Sequence, residues 1–209
     1  MALGMIKSLL LERQTQPEIL ELIFPMNKDE LNIKKLWIKN VAQIVEKART
    51  GKNLVFITLG DPMLYSTFLY LYQIIRETHP ELPLEIIPGV TSVTAAAASA
   101  KIPLSLKDEV VSIMPSDLNI ELIEDTAKHS DNLVFMKCAY RIKDAIPALE
   151  RAGFNSESTV ALVKRCTLPE EQVRVGKLED VKKWDIQEDY FSVAIVKRTK
   201  AIIEWKKDA

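Results

Sequence analysis

An α/β fold is predicted, and three observations predict it. Short apolar runs rich in β-branched residues alternate with longer amphipathic segments, the pattern that builds parallel or mixed sheets flanked by helices. Leu54-Val55-Phe56-Ile57-Thr58-Leu59 is apolar apart from Thr58, as expected of a strand buried on both faces. Gly60-Asp61-Pro62 and Pro88-Gly89 each stand where such a run gives way to a helical segment, the usual place for a turn.

Taken in order, the first strand is expected over residues 19–24, followed by a helix entered at Asn27 with Glu30 as the second half of a capping box. Leu31, Trp37, Val41, Ile44, Val45 and Ala48 supply that helix with an apolar face, and Gly51 marks its stop. The central strand is expected over 54–59, a helix over about 66–78, a strand over 84–87 and an Ala-rich helix over about 91–100. Its small side chains let that helix lie close to a sheet. Ile102-Pro103-Leu104-Ser105 breaks the pattern, which places a boundary between two α/β domains, 1–104 and 105–209. The second half reads as strand 110–114, helix 120–129, strand 133–136, helix 142–152 closed by Gly153, and strand 159–163. Residues 172–176 and 191–197 then read as strands that pair as antiparallel neighbours.

Composition narrows the class. The 209 residues are 47% hydrophobic and 27% charged, enough for one large or two small domains, and the net charge of -1 gives no global reason to expect nucleic acid. The two cysteines, Cys138 and Cys166, form no short-spacing motif, so neither a disulfide framework nor a redox pair is expected. His79 and His129 are too few and too far apart to suggest a zinc site. No signal peptide or membrane anchor is read, and a cytoplasmic location is expected.

Two loops carry chemistry in this pattern. Gly60 lets the backbone approach a ligand, Asp61 accepts hydrogen bonds and Pro62 stiffens the turn at the carboxyl end of the expected central strand, where open α/β sheets bind ligands. Read as punctuation alone, the same residues are a tight turn. Thr91 and Ser92, after Pro88-Gly89-Val90, either cap the following helix or offer hydroxyls to a ligand.

The pair of loops, in this order, resembles the tetrapyrrole methylases that build cobalamin and sirohaem. Leu59-Gly60-Asp61-Pro62-Met63-Leu64-Tyr65-Ser66-Thr67 and Phe24-Pro25-Met26 are similar to the branch that methylates carbon 20 of the corrin precursor. Pro88 to Ala98, Phe135-Met136-Lys137 and Val160-Ala161-Leu162-Val163-Lys164-Arg165 also fall in family order, so the resemblance runs from about Gly4 to Val196. It implies two α/β domains with a cofactor cleft between them, a homodimer, and S-adenosylmethionine as cofactor. Gly60, Asp61 and Leu64 would line the first cofactor loop, and Thr91 and Ser92 the second. Met136 would pack near the adenosine, though it is equally readable as core, and Cys166 would offer backbone rather than a nucleophile.

The implied substrate is cobalt-factor II or precorrin-2, and its carboxylates need cations. Lys137, Arg141, Lys164 and Arg165, which follow strands of the second half, are the candidates, with Tyr65 as a further polar contact. No general base is named, since the cofactor carries the reactive group. Trp37, Phe68, Tyr70 and Tyr72 are the aromatic residues offered for the dimer contact. The family opens with a strand and a Gly-Pro-Gly-Asp loop that have no counterpart here, and Gly4-Met5-Ile6-Lys7-Ser8-Leu9 is similar to family sequence that follows them. The chain is therefore expected to be a fragment or a shortened homologue. The alternatives are a methylase for another ring carbon and a non-catalytic remnant. A nicotinamide dehydrogenase is disfavoured, because no Gly-x-Gly-x-x-Gly opens a βαβ unit.

Overall fold

The computed structural model describes residues 2–25, 30–115, 119–138 and 141–199. Contacts gather the chain into two compact units, Met1–Thr91 and Ser92–Ala209.

The first unit holds three helices, α1 (Ala2–Leu11), α2 (Glu30–Arg49) and α3 (Phe68–Thr78). Val41 and Val45 of α2 meet Leu71 and Ile75 of α3, and Leu22, Phe24 and Phe56 close the cluster. Trp37 stacks on Tyr70 at 3.9 Å, while Phe68 lies 5.4 Å from Phe56 and 6.0 Å from Tyr72. The aromatics offered for a dimer contact thus pack on one another within the unit. Gly51 ends α2 as expected, with φ of 78° and its N–H donated to Ala48 O. Asn27, the expected cap, lies outside the described residues, as does Met26.

The three expected strands of this unit, 19–24, 54–59 and 84–87, are not strands. The 54–59 run is expected to be buried on both faces, yet Val55 is 84% exposed, and Ile87 of the 84–87 run is exposed as well. A strand is stabilised by a partner's ladder and side chains, and no segment among the described residues of this unit supplies one. The backbone finds other partners instead: the buried amide of Asn40 donates to Ile23 O at 3.0 Å and ties the 19–24 segment to α2.

The second unit is built on a five-stranded sheet in the order β1-β2-β5-β3-β4. Its strands are β1 (Val111–Pro115), β2 (Asn132–Met136), β3 (Thr159–Lys164), β4 (Gln172–Lys177) and β5 (Ser192–Lys197). β1 and β2 are parallel, and every other pair is antiparallel. The remaining helices are α4 (Ser92–Ala100), α5 (Ile120–Lys128), α6 (Ile142–Arg151) and the short α7 (Leu178–Val181). Leu133, Phe135, Val160, Leu162, Ala194 and Val196 form one core with α5 and α6. The alternate residues Val134, Ala161, Val163 and Ile195 are buried as well, and α4 packs on β3, β4 and β5. Burial on both faces explains the continuous apolar runs of β2, β3 and β5.

β4 and β5, expected to be neighbours, are separated by β3, with Ala161 opposite Val175 on one side and Ile195 on the other. The wholly apolar centre of β3 belongs inside the sheet, whereas β4 carries Gln172, Arg174 and Lys177 and stays exposed at the edge. α1 and α7 were not expected from the sequence.

Two polar clusters clamp this unit. Lys197, 1% exposed, reaches Glu109 Oε2 at 3.0 Å, and that oxygen also accepts from Asn132 Nδ2 and Leu106 N–H. Burial alone would push the Glu109 carboxyl up, but these three donors together hold it below its ordinary value. Arg198 donates to Ala127 O, Ser130 O and Ala152 O, so one guanidinium serves the carboxyl ends of α5 and α6. Among the described residues no helix is long and apolar enough to cross a membrane.

Candidate functional site

In the first unit the two candidate loops are one structure. Asp61 Oδ1 accepts the Met63 N–H at 2.8 Å, which shapes its own turn, and Oδ2 accepts the Gly89 N–H at 2.9 Å, which joins the second loop to the first. The N–H groups of Gly89 and then Met63 hold the carboxyl below its ordinary value, so Asp61 is ionised at neutral pH. A Cβ built on Gly89 would overlap the Gly60 carbonyl oxygen, so only glycine lets the loops cross this closely. At Gly60 φ is 78°, but a Cβ there would meet nothing nearer than Val90 O at 3.7 Å. Leu64 is half-buried and donates its N–H to Asp61 O, and Thr91 follows the crossing and leads into α4 at Ser92. Tyr65 sits ahead of α3 with φ of 51°.

The second unit gathers the remaining candidates at the carboxyl ends of β2 and β3. Met136 ends β2 and is half-buried; Lys137 follows it, and Lys164 ends β3 with Arg165 and Cys166 behind. The segment ahead of β5 serves both ends in alternation. Lys137 N–H donates to Ser192 O and Arg165 N–H to Phe191 O, each at 2.7 Å. The Lys137 ammonium lies 4.7 Å from the centre of the Tyr190 ring, and Arg165 Nε is 2.9 Å from Asp189 Oδ2. The Arg165 guanidinium in turn holds the Asp189 carboxyl below its ordinary range. Lys164 Nζ donates to Gln187 O, whereas Arg141 stands apart at the start of α6, its N–H on Cys138 O. Asp189 and Tyr190 were missed by the sequence reading, since nothing in a Gln-Glu-Asp-Tyr loop announces which strand ends it will face.

Backbone strain marks the same places. Among the described residues six other than glycine have left-handed φ, and Tyr65, Lys137, Arg165 and Thr167 of these lie in the loops. Such residues persist only where the surroundings over-determine them, and they concentrate at ligand sites. Cys166 lies between two of them, and burial pushes its thiol up, which disfavours the thiolate. Cys138 is pushed up to about 12 by burial.

These features fit S-adenosylmethionine. The first-unit loops offer backbone where a Cβ would intrude, an ionised carboxylate suited to a cationic ligand, and open apolar contact at Met63, 46% exposed, and Val90, 73% exposed.

Comparison with known proteins points the same way. Residues 3–182 match the family model described as Tetrapyrrole (Corrin/Porphyrin) Methylases. The chain is 35% identical over 180 residues to the probable cobalt-precorrin-2 C(20)-methyltransferase of Methanocaldococcus jannaschii, covering 86% of this chain and 73% of that protein. It is 36% identical over 149 residues to the cobalt-precorrin-2 C(20)-methyltransferase of Salmonella typhimurium, covering 71% of this chain and 61% of that protein. Uroporphyrin-III C-methyl transferase from Thermus thermophilus, solved in complex with S-adenosyl homocysteine, shares its fold at a TM-score of 0.60 and 20% identity, over 81% of this chain and 74% of that one.

Proposed function

The chain belongs to the tetrapyrrole (corrin/porphyrin) methylase family, and on that premise we propose that it methylates carbon 20 of cobalt-factor II or precorrin-2 in cobalamin biosynthesis. Two relatives named for that reaction support the choice of ring carbon. The observation that carries the cofactor reading is the Asp61 bridge, which holds the Gly60 and Gly89 loops in contact.

S-adenosylmethionine supplies an activated methyl group to a nucleophilic carbon, so the protein's work is placement. Gly60, Asp61, Leu64, Thr91 and Ser92 would hold the cofactor through two braced loops, with Met136 and the backbone at Cys166 as further contacts. Lys137, Lys164 and Arg165, at the carboxyl ends of β2 and β3 on either side of β5, would bind substrate carboxylates. Asp189 orients the Arg165 guanidinium and Tyr190 carries the Lys137 ammonium, which fixes two of those cations before substrate arrives. Arg141 and Tyr65 are proposed as outlying substrate contacts.

The test is incubation of the protein with S-adenosylmethionine and either tetrapyrrole. Mass spectrometry should show gain of one methyl group, and carbon magnetic resonance should place a labelled methyl at carbon 20. A product labelled at another ring carbon would overturn the positional assignment. No methyl transfer to either substrate by a protein that binds S-adenosylhomocysteine would overturn the activity.

A further inference from the structure

One carboxylate outside the loops named so far is joined to them. Glu171 Oε2 accepts the Thr167 N–H at 2.6 Å and the Ser99 hydroxyl at 3.0 Å, and the same hydroxyl lies 3.2 Å from Cys166 Sγ. These contacts close around a turn whose outer residues are both left-handed, Arg165 with φ of 48° and Thr167 with φ of 64°. Neither has a glycine's freedom, so the turn keeps this shape only because something holds it. On one side the hold is the Arg165 N–H on Phe191 O. Across the turn Leu168 N–H donates to Arg165 O at 3.0 Å, and on the other side the hold is Glu171.

Ser99 comes from α4, the helix that begins at Ser92, and the two residues are two turns apart, about 10 Å along the axis. α4 is packed against β3, β4 and β5 with Ala96, Ala97 and Ala100 buried. The Ser99–Glu171 bond therefore fixes the turn after β3 relative to the helix that starts at the second candidate cofactor loop.

We propose that Glu171 and Ser99 are positioning residues that hold the Arg165–Thr167 turn in its left-handed shape, so that its backbone at Cys166 and the start of α4 meet the cofactor at a fixed separation. The inference rests on the cofactor reading given above. It assigns Glu171 no contact with cofactor or substrate; the side chain acts through the Thr167 N–H. The carboxyl is held below its ordinary value first by that N–H and then by the Ser99 hydroxyl, so it is an acceptor throughout the neutral range.

The test compares S-adenosylhomocysteine affinity by calorimetric titration, with melting temperature, in the parent, Glu171→Ala, Glu171→Gln, Ser99→Ala and Glu170→Ala. Glu171→Ala should weaken affinity at least about tenfold, and Ser99→Ala by less. Glu171→Gln should recover most of the loss, because its amide oxygen still accepts the Thr167 N–H. Adding Thr167→Gly to Glu171→Ala should also recover affinity, since glycine adopts positive φ unaided. Glu170→Ala should leave affinity unchanged. A merely structural role would lower the melting temperature of Glu171→Ala without altering affinity, and that result overturns the proposal while the cofactor reading stands. Loss of affinity that neither Gln nor Thr167→Gly recovers also overturns it. A parent that fails to bind S-adenosylhomocysteine overturns the cofactor reading and this inference with it.

Discussion

Gly89→Ala is expected to disable cofactor binding far more than Gly60→Ala, although the sequence singles out Gly60 for close approach to a ligand. A Cβ on Gly89 would overlap the Gly60 carbonyl oxygen and lie 3.0 Å from its carbon and 3.4 Å from Asp61 Cα. Every obstructing atom is backbone, so no rotamer relieves the clash. One loop has to retreat by roughly 1 Å. The retreat stretches the 2.9 Å bond from the Gly89 N–H to Asp61, which is what keeps the loops together. At Gly60 a Cβ has room, 3.7 Å from Val90 O, and the penalty is the left-handed φ of 78°. That conformation costs a non-glycine residue roughly 1–2 kcal/mol, which appears in the melting temperature. Titration of S-adenosylhomocysteine should therefore give binding weaker by roughly tenfold to a hundredfold for Gly89→Ala, the scale of losing a hydrogen bond to a charged group, and near-parental binding with a lower melting temperature for Gly60→Ala. Parental affinity in Gly89→Ala, or the reverse order of the two variants, would refute the reasoning.

Asp61→Asn should weaken S-adenosylhomocysteine binding by titration at neutral pH, because the amide offers one acceptor oxygen for two N–H groups. In the parent the bridge is complete above the ordinary carboxyl value of 3.8 and is lost as pH falls through the lowered folded value, so affinity should be insensitive to pH between neutrality and about pH 5 on this group's account. Glu109→Gln should lower urea stability by about 3 kcal/mol, since it leaves the Lys197 ammonium buried without its carboxylate. The Glu109 carboxyl is depressed, so its contribution is present above the ordinary value of 4.5 and is lost as pH falls through the lowered folded value; a stability gap between parent and variant that persists undiminished in acid would count against the pair. A homodimer remains proposed from the resemblance alone, and light scattering that shows a monomer at micromolar concentration would remove it.

The second unit was largely legible because its signals are local and agree with each other. Residues 159–163 and 191–197 read as strands from unbroken apolar runs, and both are buried on two faces. Gly153 closed the helix before it and has φ of 93°. What local signals did not carry was order. β3 lies between β4 and β5 because side-chain burial ranks strands from centre to edge, and that ranking depends on the whole sheet. In the first unit the same kind of run misled: 54–59 has the composition of a central strand, but composition describes a strand's side chains and not the ladder that makes it one.

The candidate site divides along the same line. Gly60, Asp61, Thr91, Lys137 and Arg165 were visible because turn residues and cations stand out beside apolar runs. The residues that give the site its shape were not, since a carboxylate four residues beyond a turn, as Glu171 is from Thr167, looks like any solvated charge. Nor does the sequence show that the two oxygens of Asp61 accept N–H groups from both loops. Both carboxylates therefore do related physical work: Asp61 accepts two backbone N–H groups, and Glu171 one backbone N–H and the Ser99 hydroxyl, and each braces a loop. A methyl transfer that asks the protein mainly for placement is served by such braces rather than by acids and bases. Variants of Asp61 and Glu171 should accordingly weaken cofactor binding without moving the pH dependence of methyl transfer in the neutral range, where both groups stay ionised. A new titration near neutrality in either variant would show that the site relies on proton transfer after all.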